Sequence, residues 1–176
     1  MKPIVAQLAK RARVICTLGA VTFVQVLGVA STAAAQAGGP TACSIIDPTE
    51  IQRVSGLKDR LRMGPQATDP SELPKGRSEC EYLGLTFSLS AIPQQAFERT
   101  RADLTKRGTK VESAPGVGDD AFYWWDPQPG TYRQLGIAVR AGTRQLTVLD
   151  LTSSDSIAAV KPRLLAIAKS LAPKLR

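Results

Sequence analysis

Cys80-Glu81-Tyr82-Leu83-Gly84-Leu85-Thr86-Phe87-Ser88-Leu89-Ser90-Ala91 is the stretch on which the fold turns. Leu85, Phe87, Leu89 and Ala91 alternate with Thr86, Ser88 and Ser90. That period of two marks a β-strand, whose successive side chains point to opposite faces. Gly84 predicts a bulge or bend between this run and Tyr82.

Downstream, Pro93 to Arg107 reads as a helix closed by Gly108, with a thin apolar stripe of Ala96, Phe97, Thr100 and Leu104. Its remaining face is charged and solvated. Thr109–Ser113 follows as a short strand, and Ala114 to Asp120 as a turn-rich connector. Ala121–Trp125 is a strand, 126–130 a loop, and Tyr132–Arg140 with Thr143–Thr152 a hairpin across Ala141-Gly142. In the second arm Leu146, Val148 and Asp150 share one face; Thr147, Leu149 and Leu151 share the other. The closing helix runs from about Ser154 to Leu171 on Ile157, Val160, Leu164, Ile167 or Ala168, and Leu171. Pro162 lies inside it and predicts a kink or a second start. Upstream, Asp47-Pro48-Thr49-Glu50 opens a helix: Asp47 caps, Pro48 suits the first position, and Glu50 lies three residues on. It carries Ile51 and Val54 inward and stops near Gly56. The order α, β, α, several antiparallel strands, α predicts an α+β domain over 43–176, with helices packed on one face of an antiparallel sheet.

The amino end has a different character. Basic Lys2, Lys10, Arg11 and Arg13 precede an apolar stretch, Val14 to Ala30, and small residues ending in Ala35-Gln36-Ala37. That order predicts a signal peptide over 1–37, cleaved after about Ala37, and a periplasmic or secreted product. Contact with the membrane is then transient, through the signal. A retained anchor is the competing reading, but the apolar run is short of the roughly 20 residues that span a bilayer and contains Thr17, Thr22 and Gln25. Lipid attachment at Cys43 would need a better box than Pro40-Thr41-Ala42. Residues 38–42 read as a disordered leader. The signal holds four of the 23 basic residues and none of the 15 acidic ones, so the net charge of +8 falls to +4 after cleavage. A charge of that size is ordinary for solubility and does not point to nucleic acid.

Cleavage leaves Cys43 and Cys80. An even number of cysteines in an oxidising compartment predicts one disulfide, Cys43–Cys80. The loop it closes includes Leu57 to Glu79, rich in Pro, Gly and charge, which has no apolar periodicity to order it. The pair lacks Cys-x-x-Cys spacing, which argues against a redox dithiol.

The chain has no histidine. Ser-His and Cys-His nucleophile pairs and imidazole metal sites are therefore excluded, and acid–base work would fall to carboxylates, Lys or Tyr. No metal or other cofactor is implied. Asp119-Asp120 is the one adjacent carboxylate pair beside a glycine turn, but neighbours in a strand point opposite ways. Gly116-Val117-Gly118 lacks the third glycine and the following helix of a dinucleotide site. Arg99, Arg101, Lys106, Arg107 and Lys110 are interspersed with Glu98 and Asp103, as on a solvated face. Phe122-Tyr123-Trp124-Trp125 concentrates aromatics in one strand. One alternating pair belongs to the core; the other, with Tyr132 across the Pro-rich loop, is a candidate platform for a sugar or a partner protein. The candidate binding surface is thus Tyr123, Trp124, Trp125 and Tyr132.

Cys43 to Ile51, the second cysteine in Cys80-Glu81-Tyr82, Pro115 to Phe122 and the closing Ala/Leu-rich helix occur in a recognisable order. Together they resemble a group of small exported bacterial domains of unknown function, many of them envelope lipoproteins and some extracellular sensor domains of receptor kinases. The resemblance implies an α+β domain with one disulfide, similar to the PsbP type, and transfers no catalytic residue. The expected function is non-enzymatic binding of an envelope protein or small ligand. The alternatives are a histidine-independent hydrolase using Asp119 or Asp120 with Lys or Tyr, and a purely structural envelope component.

Overall fold

The computed structural model describes residues 39–59, 62–128, 131–151 and 155–176; for residues 131 and 133 only the backbone is described. The predicted signal, 1–37, lies outside the described residues. The predicted α+β class is what forms. Seven strands build one antiparallel sheet in the order β1-β2-β3-β7-β6-β5-β4, with three α-helices. The strands are β1 (Gln66–Ala67), β2 (Arg77–Tyr82), β3 (Leu85–Ala91), β4 (Lys110–Ser113), β5 (Asp120–Gln128), β6 (Thr131–Ala141) and β7 (Arg144–Asp150). The helices are α1 (Pro48–Ser55), α2 (Gln94–Lys106) and α3 (Ile157–Leu171).

Gly84 is neither a bulge nor a bend. Leu83 and Gly84 carry φ of 57° and 76°, and the chain reverses there from β2 into β3. Positive φ at both central residues is the type I′ geometry, whose twist matches that of the flanking strands. The apolar alternation concealed this turn because Tyr82 and Leu85, on either side of it, pair across it and are both buried. In β5, pairing continues past the expected end at Trp125, through a register shift between Trp125 and Pro127, to Gln128.

Alternation divides the sheet into two faces. One carries Phe87, Leu89, Leu146, Val148, Leu135, Ile137, Val139 and Tyr123 into the main core with Ile51 of α1 and Val160, Leu164, Ile167 and Leu171 of α3. Each such side chain contributes about 1.5–3 kcal/mol by leaving water. The expectation of helices on one face holds for α1 and α3. It fails for α2, whose Phe97 packs with Phe122 and Ala138 from the opposite face. The reason is tertiary: β5 offers Phe122 on that face, and the stripe of α2 is too thin for the main core.

Local chemistry sets the helix ends. Asp47 accepts hydrogen bonds from the amides of Thr49 and Glu50, at 3.0 and 3.3 Å, and Gly56 closes α1 in the left-handed region. Ser156 caps α3, and Pro162 lies within that one continuous helix instead of starting a second. The carbonyl four residues before it belongs to exposed Ala158, where water can satisfy it.

The disulfide joins Cys43 to Cys80 of β2, with Cα atoms 5.1 Å apart. Next to it Ala42, within the predicted leader, is fully buried and donates its amide hydrogen to Ser78 Oγ at 2.9 Å. Lys174 Nζ donates to the Ile45 carbonyl at 3.0 Å, tying the last turn of the chain to this segment. Cys43 Sγ is already bonded to Cys80, so it cannot carry a thioether-linked lipid in this form. The disulfide is compatible with an oxidising, exported location. Among the described residues no helix is long and apolar enough to cross a membrane.

Candidate functional site

The aromatic strand β5 places its residues alternately, as the sequence predicts, and both faces put them to structural use. Phe122 is fully buried against Phe97, ring centroids 5.1 Å apart at 55°. Tyr123 is buried in the main core, and its hydroxyl donates to the Lys161 carbonyl at 3.3 Å. Burial, then the nearby charge of Glu112, pushes the Tyr123 phenol above its ordinary pKa, so it stays neutral at physiological pH. Tyr132 is buried in the same core. Trp125, half-buried on the α3 side, has its ring covered by Lys161 Nζ at 4.2 Å. Lys161 also pairs with Glu112 at 2.6 Å. The four predicted binding residues therefore do not form one platform. Trp124 alone projects from the other face, half-buried at the margin of the Phe97–Phe122 cluster.

Trp124 is seated on a glycine. A Cβ at Gly136, its cross-strand partner, would lie 2.8–3.0 Å from three indole atoms, Cε2, Nε1 and Cζ2. The ring thus fills the space above Gly136, and any side chain there would displace it.

The acidic pair does point opposite ways, and each member meets a guanidinium. Asp119 accepts the Gly142 amide at 2.6 Å and Arg176 Nη2 at 2.7 Å, with Arg140 Nη1 at 3.5 Å. Asp120 accepts Arg101 Nη2 at 3.1 Å. The Gly142 hydrogen bond, helped by Arg176 and Arg140, holds the Asp119 carboxyl below its ordinary pKa. A general acid needs its pKa raised toward neutrality, so this environment suits a structural anion. The predicted basic run is similarly engaged in part: Arg101 also donates to the Ala121 carbonyl and stacks over Phe122 at 4.8 Å, and Lys106 lies 3.8 Å from Asp103. No group of three or more metal-ligating side chains occurs among the described residues.

A further concavity lies elsewhere. At the β2–β3 turn a cleft of about 710 Å³ is lined by Leu57, Met63, Tyr82, Leu83, Leu85 and Leu151, with Lys58, Glu81 and Thr86 among its polar groups. Met63, 61% exposed, and Leu151, 44% exposed, are the exposed large hydrophobic side chains of the described residues, and both line this one cleft. Sequence reasoning missed it because Leu57 to Glu79 shows no periodicity. One signal was present: Leu149 and Leu151 put apolar side chains on the face of β7 shared with polar Thr147.

That face continues from the cleft. Register aligns Glu81, Thr86, Leu149, Gly136 and Trp124 in a single row across β2, β3, β7, β6 and β5. The adjacent row is Glu79, Ser88, Thr147, Ala138 and Phe122. Arg77 bonds Glu79, and Ser88 Oγ donates to Glu79 Oε1 at 2.7 Å. Comparison of the chain with known protein families, with curated proteins and with solved structures finds no match, so the fold and these surfaces carry the functional argument by themselves.

Proposed function

We propose that the chain is an exported, non-enzymatic binding domain that takes a small apolar or amphipathic molecule in the cleft at the β2–β3 turn. The observation that carries this reading is the convergence of Met63 and Leu151 on one concavity. Exposed apolar side chains scattered singly are ordinary, whereas two of them gathered over a floor of Tyr82, Leu83 and Leu85 make a ligand surface. A volume near 710 Å³ falls within the range of small-molecule sites. Support against a catalytic reading comes from Asp119 and Asp120, both engaged by guanidinium groups, and from the absence of histidine.

The test is calorimetric titration with dodecanol, dodecanoate and dodecylamine. Saturable binding of at least one, weakened tenfold or more by Leu151→Glu and by Met63→Glu, is expected. Both positions are exposed, so the unfolding midpoint should stay within about 0.5 kcal/mol of wild type. Absence of binding by all three probes, or binding indifferent to both variants, refutes the assignment. Hydrolysis of a chromogenic ester that is lost in Asp119→Asn or Asp120→Asn would favour the enzymatic alternative.

A further inference from the structure

We propose a second binding surface that adjoins the apolar cleft and shares Glu81 and Thr86 with it: the face of β2, β3 and β7, ending on the Trp124 indole, receives a polyhydroxylated ligand, a short glycan.

Three observations converge on this chemistry. First, the indole occupies the space that a side chain at Gly136 would fill, and Trp124 is only half-buried. A partly exposed indole held in place by its neighbours suits the C–H-rich face of a sugar ring. The indole N–H donates to no described group. Second, the ground beyond Trp124 is polar and in register. Thr86, Thr147, Ser88, Glu79 and Glu81 occupy the two aligned rows, and Gln145 and Ser90 the next. Glu79 and Ser88 are engaged with Arg77 and with each other, and Gln145 donates to Thr147, so Thr86, Thr147 and Glu81 are the groups offered to a ligand rich in hydroxyls. At roughly 4.8 Å per strand, Thr86 lies about 10 Å from the seat of the indole over Gly136, room for a disaccharide. Third, Thr86, Thr147 and Trp124 are partly exposed on this face, although Ser88 and the Gln145 side-chain oxygen are buried. Among the described residues α1 and α3 pack on the opposite side, and α2 anchors through Phe97 on Phe122 and Ala138, beside β4, β5 and β6. An apolar partner protein is disfavoured by the same composition, because only Leu149 among the row residues beyond Gly136 is apolar.

Trp125 and Trp124 are the only tryptophans. In a Trp125→Phe background, emission therefore reports Trp124 alone. Titration with chitotetraose, cellotetraose and maltotetraose is expected to give a saturable change in emission with at least one of them. Calorimetry with the same sugar should then show at least about tenfold weaker binding for Trp124→Leu, which keeps apolar packing but lacks a stacking face. Thr86→Ala should weaken it about threefold. Trp124→Phe, the fold-sparing variant, should retain part of the affinity. The proposal is overturned if none of the three sugars binds, or if binding survives Trp124→Leu unchanged in a variant whose unfolding midpoint shows it folded. Dodecanol binding that persists while all three sugars fail leaves the cleft assignment standing and removes this one.

Discussion

Phe97→Ala tests the two-faced sheet directly. Phe97 is the fully buried residue of α2, and its ring meets Phe122 at 5.1 Å. Truncation removes the aromatic pair and leaves a void between α2 and β5. Phe→Ala changes in cores cost about 3–5 kcal/mol, of which the ring–ring geometry accounts for about 0.5–1.5. With a urea m-value of roughly 2 kcal/mol/M, the transition midpoint should fall by about 2 M. Urea unfolding followed by both far-ultraviolet circular dichroism and tryptophan emission is the assay, because Trp124 borders the same cluster. Phe97→Leu should cost less than half as much, since Leu refills most of the space. Arg99→Ala, on the exposed side of the same helix, should stay within about 0.5 kcal/mol. A loss below about 1 kcal/mol for Phe97→Ala would mean that α2 does not depend on this contact, and the second layer would have to be redrawn.

Replacing Cys43 and Cys80 together by serine opens a loop spanning a sequence separation of 37 and should destabilise the fold by roughly 3–4 kcal/mol, read from the urea midpoint. An unchanged midpoint would show that Ile45, Ile46 and Ile51 hold the segment unaided. Asp119 has its folded pKa depressed below 3.8, so its stabilisation is present above the unfolded value and is lost as pH falls through the folded one. The Tm gap between wild type and Asp119→Asn should therefore be full at pH 6 and should close below about pH 4; a gap that widens in acid contradicts this. Gly136→Ala should expel the indole from its seat, red-shift Trp124 emission and cost about 1–3 kcal/mol; unaltered emission would refute the close approach of the indole to Gly136.

What could be read beforehand was whatever repeats at a fixed period or sits at a helix end. Leu85 to Ala91, the Asp47 cap and the α3 stripe all obey local rules and point to the class and the helix positions, while the cysteine pair followed from the count left after cleavage. The β2–β3 turn was hidden because Leu83 is an apolar residue in a left-handed conformation, which few such residues adopt. The side of the sheet taken by α2 depends on which face of β5 offers Phe122, a tertiary fact. The aromatic platform dispersed for a similar reason. Alternation separated Trp124 from Trp125, as expected, but nothing local announced that Lys161, 36 residues downstream of Trp125, would cover the latter. The cleft came from a segment with no period at all.

The strand order carries a consequence in time. β3 and β7 are neighbours in the middle of the sheet, yet β3 ends at Ala91 and β7 begins at Arg144. A chain made amino end first presents the β2–β3 hairpin, with one long side of β3 unpaired, well before its partner exists. Such an edge invites pairing with another chain. Cys43 and Cys80 both precede the end of β3, so in an oxidising compartment the staple can close before β7 arrives and fix β2 to the amino-terminal turn while β3 waits. The vulnerable moment in the life of this protein is therefore the passage of residues 92 to 143, and a pause there should favour aggregation more than a pause anywhere later.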